Sequence, residues 1–159
     1  MIGSSAVLLP YAPASVSDAR WRLTADLRQA GVLPAAVCDA ALVVSELLSN
    51  AIRHARPLPG FLVEVTWALA DGSVEVTVSD GGSGTRPRPA YASRSALGGR
   101  GLAIVEHLSC RWGVDGNESR TTVWAVLPAP RPGVAGCQPA GQARKRQRIG
   151  VALTGQLQH

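Results

Sequence analysis

Glu46-Leu47-Leu48-Ser49-Asn50-Ala51-Ile52-Arg53-His54-Ala55 is the stretch on which the fold turns. Residues three and four apart share a helix face. Glu46, Asn50 and the pair Arg53/His54 therefore form one polar stripe, and the opposite face is apolar. Acid, amide and base in a row suit a metal–phosphate site. Asn50 offers a neutral oxygen to a hard cation such as Mg²⁺. Glu46 can accept a proton from an attacking water or hydroxyl. Arg53 can meet a phosphate oxygen. Taken alone, the segment also reads as a solvated helix face.

Working outward, Pro34 suits the first turn of this helix, which is expected from Ala35 to about Ala55 and stops at Arg56-Pro57. Leu42, Leu47, Leu48, Ala51 and Ile52 supply core contacts, and Cys38 is placed facing the helix interior. Upstream, a helix capped by Ser15 or Ser17 runs to about Ala30, where Gly31 ends it, and residues 6–9 read as a short strand. Downstream, Val63, Val65 and Trp67 alternate with Glu64 and Thr66; Val74, Val76 and Val78 alternate with Glu75 and Thr77. Asp71-Gly72 between them signals a hairpin. A helix over about 101–108 and strands over 111–115 and 121–127, turned at Gly116-Asn117, complete the pattern.

Three further motifs follow in order. Asp80-Gly81-Gly82-Ser83-Gly84 comes directly after a strand. Asp80 can accept a hydrogen bond from an exocyclic amine, and Gly82 and Gly84 allow close backbone approach or positive φ. Gly98-Gly99-Arg100-Gly101-Leu102 leads into an apolar helix, whose free N–H groups suit a phosphate. The Gly-Lys-Ser/Thr ending of a Walker A loop is absent, and no early βαβ unit supports a dinucleotide fingerprint. Thr122 places a hydroxyl on the last strand. Each motif has an ordinary reading: a turn, a helix entry, a plain strand residue. Their order and spacing together carry the inference.

The set resembles the GHKL ATPase superfamily of gyrase-type topoisomerases, ninety-kilodalton chaperones, sensor histidine kinases and mismatch-repair ATPases. It looks most like the anti-sigma-factor serine/threonine kinases and small actinomycete ATP-binding regulators. The likeness covers about residues 6–128. It implies an α+β fold, a two-layer α/β sandwich of the Bergerat type. A mixed, mainly antiparallel sheet would carry helices on one face, with ATP beneath a lid over residues 85–98. Carried over by position, Glu46 matches the catalytic base and Asn50 the Mg²⁺ ligand. Asp80, Gly82 and Gly84 match the first glycine box, and Gly99, Gly101 and Leu102 the second. Thr122 matches the last adenine-side contact. Arg53, Arg94 and Arg100 are phosphate candidates. The family's partners would be a sigma factor and an anti-anti-sigma (STAS-like) protein, and relatives suggest a homodimer. The sequence departs from the family at Ser119-Arg120-Thr121, where a glycine-led turn is usual, and in a short lid containing Pro87 and Pro89.

Composition bounds this reading. The 159 residues suit one domain, placed at 1–128, plus a tail at 129–159 rich in Pro, Gly, Gln and Arg and expected to be disordered. The net charge of +5 comes from the tail, because the 11 acidic side chains all precede Pro128 and are balanced there. Nucleic-acid binding is therefore not expected of the folded part; through Arg144-Lys145-Arg146-Gln147-Arg148 it remains a lesser alternative. A catalytically silent, ATP-gated protein-binding module is the other alternative. Cys38, Cys110 and Cys137 show no CxxC spacing, so a reducing cytoplasm is the expected setting. No signal peptide or membrane span is expected.

Overall fold

The structure, a computed structural model, describes residues 3–82 and 100–141. Five strands and three helices follow in the order β1 (Gly3–Pro10), α1 (Ala14–Gln29), α2 (Pro34–His54), β2 (Leu62–Ala70), β3 (Ser73–Asp80), α3 (Arg100–Leu108), β4 (Arg111–Asn117) and β5 (Arg120–Pro128). The sheet order is β1-β2-β3-β5-β4, and every pairing is antiparallel. The expected α+β sandwich is present, and its sheet among the described residues has no parallel pair. Neither expected serine caps α1. Pro13 holds the cap position, and the Ser15 hydroxyl donates to Pro10 O at 2.5 Å.

Strand alternation decides which face meets the helices. Val7, Val65, Val78 and Val123 lie in one cross-strand row, Trp67, Val76 and Ala125 in the next, then Leu69, Val74 and Leu127. The strand positions in these rows pack with Leu23 and Leu27 of α1 and with Val43, Val44, Leu47 and Leu48 of α2. Full burial of each Val or Leu contributes roughly 1.5–3 kcal/mol. Thr66, Thr77 and Trp124 occupy the intervening row, on the opposite face.

By length and hydropathy alone α2 could span a membrane. Its buried stripe packs against the sheet, and it carries Asp39 and Glu46, so it is the core helix of this domain.

The change from domain to tail at Pro128 also needs correction. Residues 129–141 continue over the domain surface, and Cys137 forms a disulfide with Cys110. Apolar periodicity cannot reveal a segment held by backbone bonds and a covalent link. The basic run at 144–148 lies outside the described residues. Cys38, the free cysteine among these residues, is exposed rather than turned inward.

Candidate nucleotide site

Asp80 ends β3 and is 4% exposed. One carboxylate oxygen accepts the Gly82 N–H at 2.8 Å. Burial pushes the carboxyl up from its ordinary value near 3.8 to about 6, while the Gly82 N–H and the Arg120 charge pull it down. Gly82 has φ +82°, and a Cβ there would stand 2.5 Å from Glu118 O. A side chain at Gly81 would collide with Pro57 O. These glycines let the loop lie against the exit of α2. Gly81 N–H donates to Arg56 O at 2.7 Å, and Arg56 N–H to Gly82 O at 2.9 Å. The aspartate and the polar helix are thus stitched together through backbone.

Between them lies a cavity of ≈ 580 Å³, its open mouth included. Leu47, Asn50, Ala51 and His54 of α2, with Ala55 just after it, form one wall, and Leu102 of α3 adds to it. Val78 and Asp80 of β3 with Thr121 and Val123 of β5 form the other. The mostly apolar lining with a few polar groups suits a small organic ligand. The apolar side chains suit a flat aromatic base, and a partly desolvated carboxyl suits its amine.

The expected site residues divide. Asn50, Asp80 and Leu102 line the cavity, and Gly82 supports Asp80. Glu46 sits one helical turn before Asn50 and is half-buried, outside the lining. Arg53 is exposed and also outside it. Thr122 belongs to the other face of the sheet, where its hydroxyl pairs with Ser79 Oγ at 2.7 Å. Thr121, directly opposite Asp80, takes the pocket position instead. Gly84, Arg94, Gly99 and the lid at 85–98 lie outside the described residues. Arg100 and Gly101 open α3.

Tyr11 is a residue the sequence did not flag. Its hydroxyl donates to carbonyls of the last turn of α2, Ile52 O at 2.7 Å and Ala55 O, with Ala51 O at 3.3 Å. Burial, then the Asp80 charge, raise its pKa. Its ring meets Phe61 edge-on at 5.5 Å. The signal was weak: an aromatic in a short loop, with no motif around it.

Fold and pocket together define a Bergerat-type nucleotide-binding sandwich. The chain belongs to the histidine kinase-like ATPase domain family, whose profile matches residues 9–127. It shares its fold with part of the solved structure of the RsbU and RsbW domains of Rv1364c from Mycobacterium tuberculosis, at 20% identity and a TM-score of 0.61. The likeness covers 84% of this chain and 33% of that one. No curated protein matches the chain in sequence.

Proposed function

We propose that this chain is an Mg·ATP-dependent serine/threonine protein kinase that acts as an anti-sigma factor and phosphorylates an anti-anti-sigma partner. One observation carries the reading: Asn50 and Asp80 line one cavity, with Glu46 a single turn from Asn50 on the same helix. The sequence resemblance to small anti-sigma-factor kinases supports the choice within the family, and the fold shared with the RsbW domain is compatible with it.

In this reading Asp80 receives the adenine amine, and Leu47, Val78, Leu102 and Val123 keep water from the base. Asn50 would hold Mg²⁺ through its amide oxygen. The ion would supply charge neutralisation at the phosphates. Arg100 meets phosphate oxygens, and Gly84, Gly99 and Gly101 give backbone room. Glu46 takes the proton of the partner's hydroxyl. The new phosphate brings about −1.5 to −2 charges, which drives the partner off and frees a surface for the sigma factor.

A second reading is favoured by the place of Glu46 outside the cavity lining. There, nucleotide binding gates protein association without transfer. Labelled ATP with an anti-anti-sigma protein separates the two. The kinase reading expects transfer by the wild type and at least a hundredfold less by Glu46→Ala, at unchanged ATP affinity. Equal transfer by both proteins would remove Glu46 from the chemistry. ATP binding without transfer by the wild type would establish the gated module.

A further inference from the structure

The segment after β5 is a strap tied to Gly72, Leu33, Ser109 and Cys110. Ala129 is fully buried, and its N–H donates to Gly72 O in the β2–β3 turn at 2.9 Å. Leu33, just before α2, donates to Pro130 O at 2.9 Å. An isolated bridge between Arg131 and Val134 turns the chain back. Cys137 N–H then returns to Gly72 O at 3.3 Å, and Ala140 N–H reaches Ser109 O, past the end of α3, at 3.0 Å. The Ala135 carbonyl lies so close over Gly72 that a Cβ there would stand 2.0 Å from it. The Cys110–Cys137 disulfide closes the strap across a Cα separation of 6.2 Å.

Little else holds it. Every residue from 130 to 141 is half-buried or exposed. Ordering a dozen residues costs more than a few net hydrogen bonds return. The disulfide therefore decides whether the strap stays. Both cysteines are half-buried rather than fully buried. The strap also touches α2 and α3 at the ends remote from the cavity: Leu33 precedes α2, whereas Asn50 and His54 lie in its last turns, and Leu102 lies at the opposite end of α3 from Ser109.

We propose that Cys110–Cys137 is a reversible redox latch, opened by a dithiol reductant, which releases the strap at 130–141 and the rear anchors of both pocket helices. One thiolate of the reductant attacks a sulfur of the bond, giving a mixed disulfide and one free cysteine. The second thiolate displaces the other cysteine. Two electrons and two protons pass to the protein, and the reductant leaves as its own disulfide. A small-molecule or protein disulfide closes the latch by the same exchange in reverse. Freed helices must be re-ordered by a ligand, so the reduced form binds nucleotide more weakly. Only this last step rests on the nucleotide-binding reading.

The test uses the full chain with and without dithiothreitol, and the Cys110→Ser/Cys137→Ser variant under both conditions. Thiol titration should rise from one reactive group, Cys38, to three in the wild type. Amide exchange at Cys137 and Ala140 should accelerate at least tenfold on reduction. The variant should exchange fast throughout. Unchanged exchange in the reduced wild type, or a double variant as protected as the oxidised protein, overturns the latch. ATP affinity should fall at least threefold on reduction of the wild type and stay constant in the variant. Released strap with equal affinity overturns the coupling alone. Absence of ATP binding in both states counts against the nucleotide reading and leaves the exchange result standing.

Discussion

Asp80 carries two opposed demands. In the proposed role its carboxylate is ionised to receive an amine, yet its burial favours the neutral acid and raises its pKa to about 6. Between about pH 4 and 6 the folded state holds the proton that the unfolded state has released. Stability therefore falls as pH rises through that window, and above it the whole cost of the buried charge is present. Asp80→Asn removes this titration. The variant should gain stability over the wild type from pH 4 to 6.5 and hold a constant gain above. We expect a gain of roughly 1–3 kcal/mol, allowing for solvent that reaches the carboxyl through the pocket mouth. Urea unfolding at both pH values measures it, and a gap independent of pH would contradict the burial argument. The same variant should lose ATP: with Oδ1 taken by Gly82, its NH₂ faces a donor amine. Asp80 and Asn50 were legible because motif spacing survives without coordinates. Thr121 was also within reach, since it shares strand parity with Val123, Ala125 and Leu127; the family motif drew the assignment to Thr122 instead. The exposure of Cys38 was less accessible, because the width of the buried stripe of α2 is set by how the sheet and α1 pack around it.

At the scale of elements, the last turn of α2 depends on Tyr11. The C-terminal carbonyls of a helix have no partners within it. Tyr11 reaches across from the end of β1 to supply one donor to that turn. Tyr11→Phe keeps the ring on Phe61 and deletes only the hydroxyl. It should cost about 1–2 kcal/mol and speed amide exchange at the end of α2. An unchanged unfolding midpoint would show that water replaces the hydroxyl without penalty. All five strands and all three helices among the described residues were legible from alternation, helical spacing and the Asp71-Gly72 turn. Tyr11 was not, because its role depends on a contact about forty positions away in the chain. The stitch between Arg56 and Gly81-Gly82 was hidden for the same reason, although the glycines themselves stood out.

For the whole molecule, the described part of the domain runs past Pro128 as far as Gly141. A chain ending at Gly141 should unfold like the full length. One ending at Pro128 loses the strap and the disulfide spanning 27 positions, at a cost of about 2–4 kcal/mol. Equal urea midpoints for both truncations would return the boundary to Pro128. Composition concealed this segment because backbone hydrogen bonds and one cystine leave no periodic apolar trace. The central claim is that α2, β3, α3 and β5 converge on a single adenine nucleotide. ATP titration with and without Mg²⁺ on wild type, Asn50→Ala and Asp80→Asn tests it most directly. The account predicts Mg²⁺-enhanced binding by the wild type, loss of that enhancement in Asn50→Ala, and at least tenfold weaker binding by Asp80→Asn whether or not the ion is present. Wild-type affinity in both variants would contradict it.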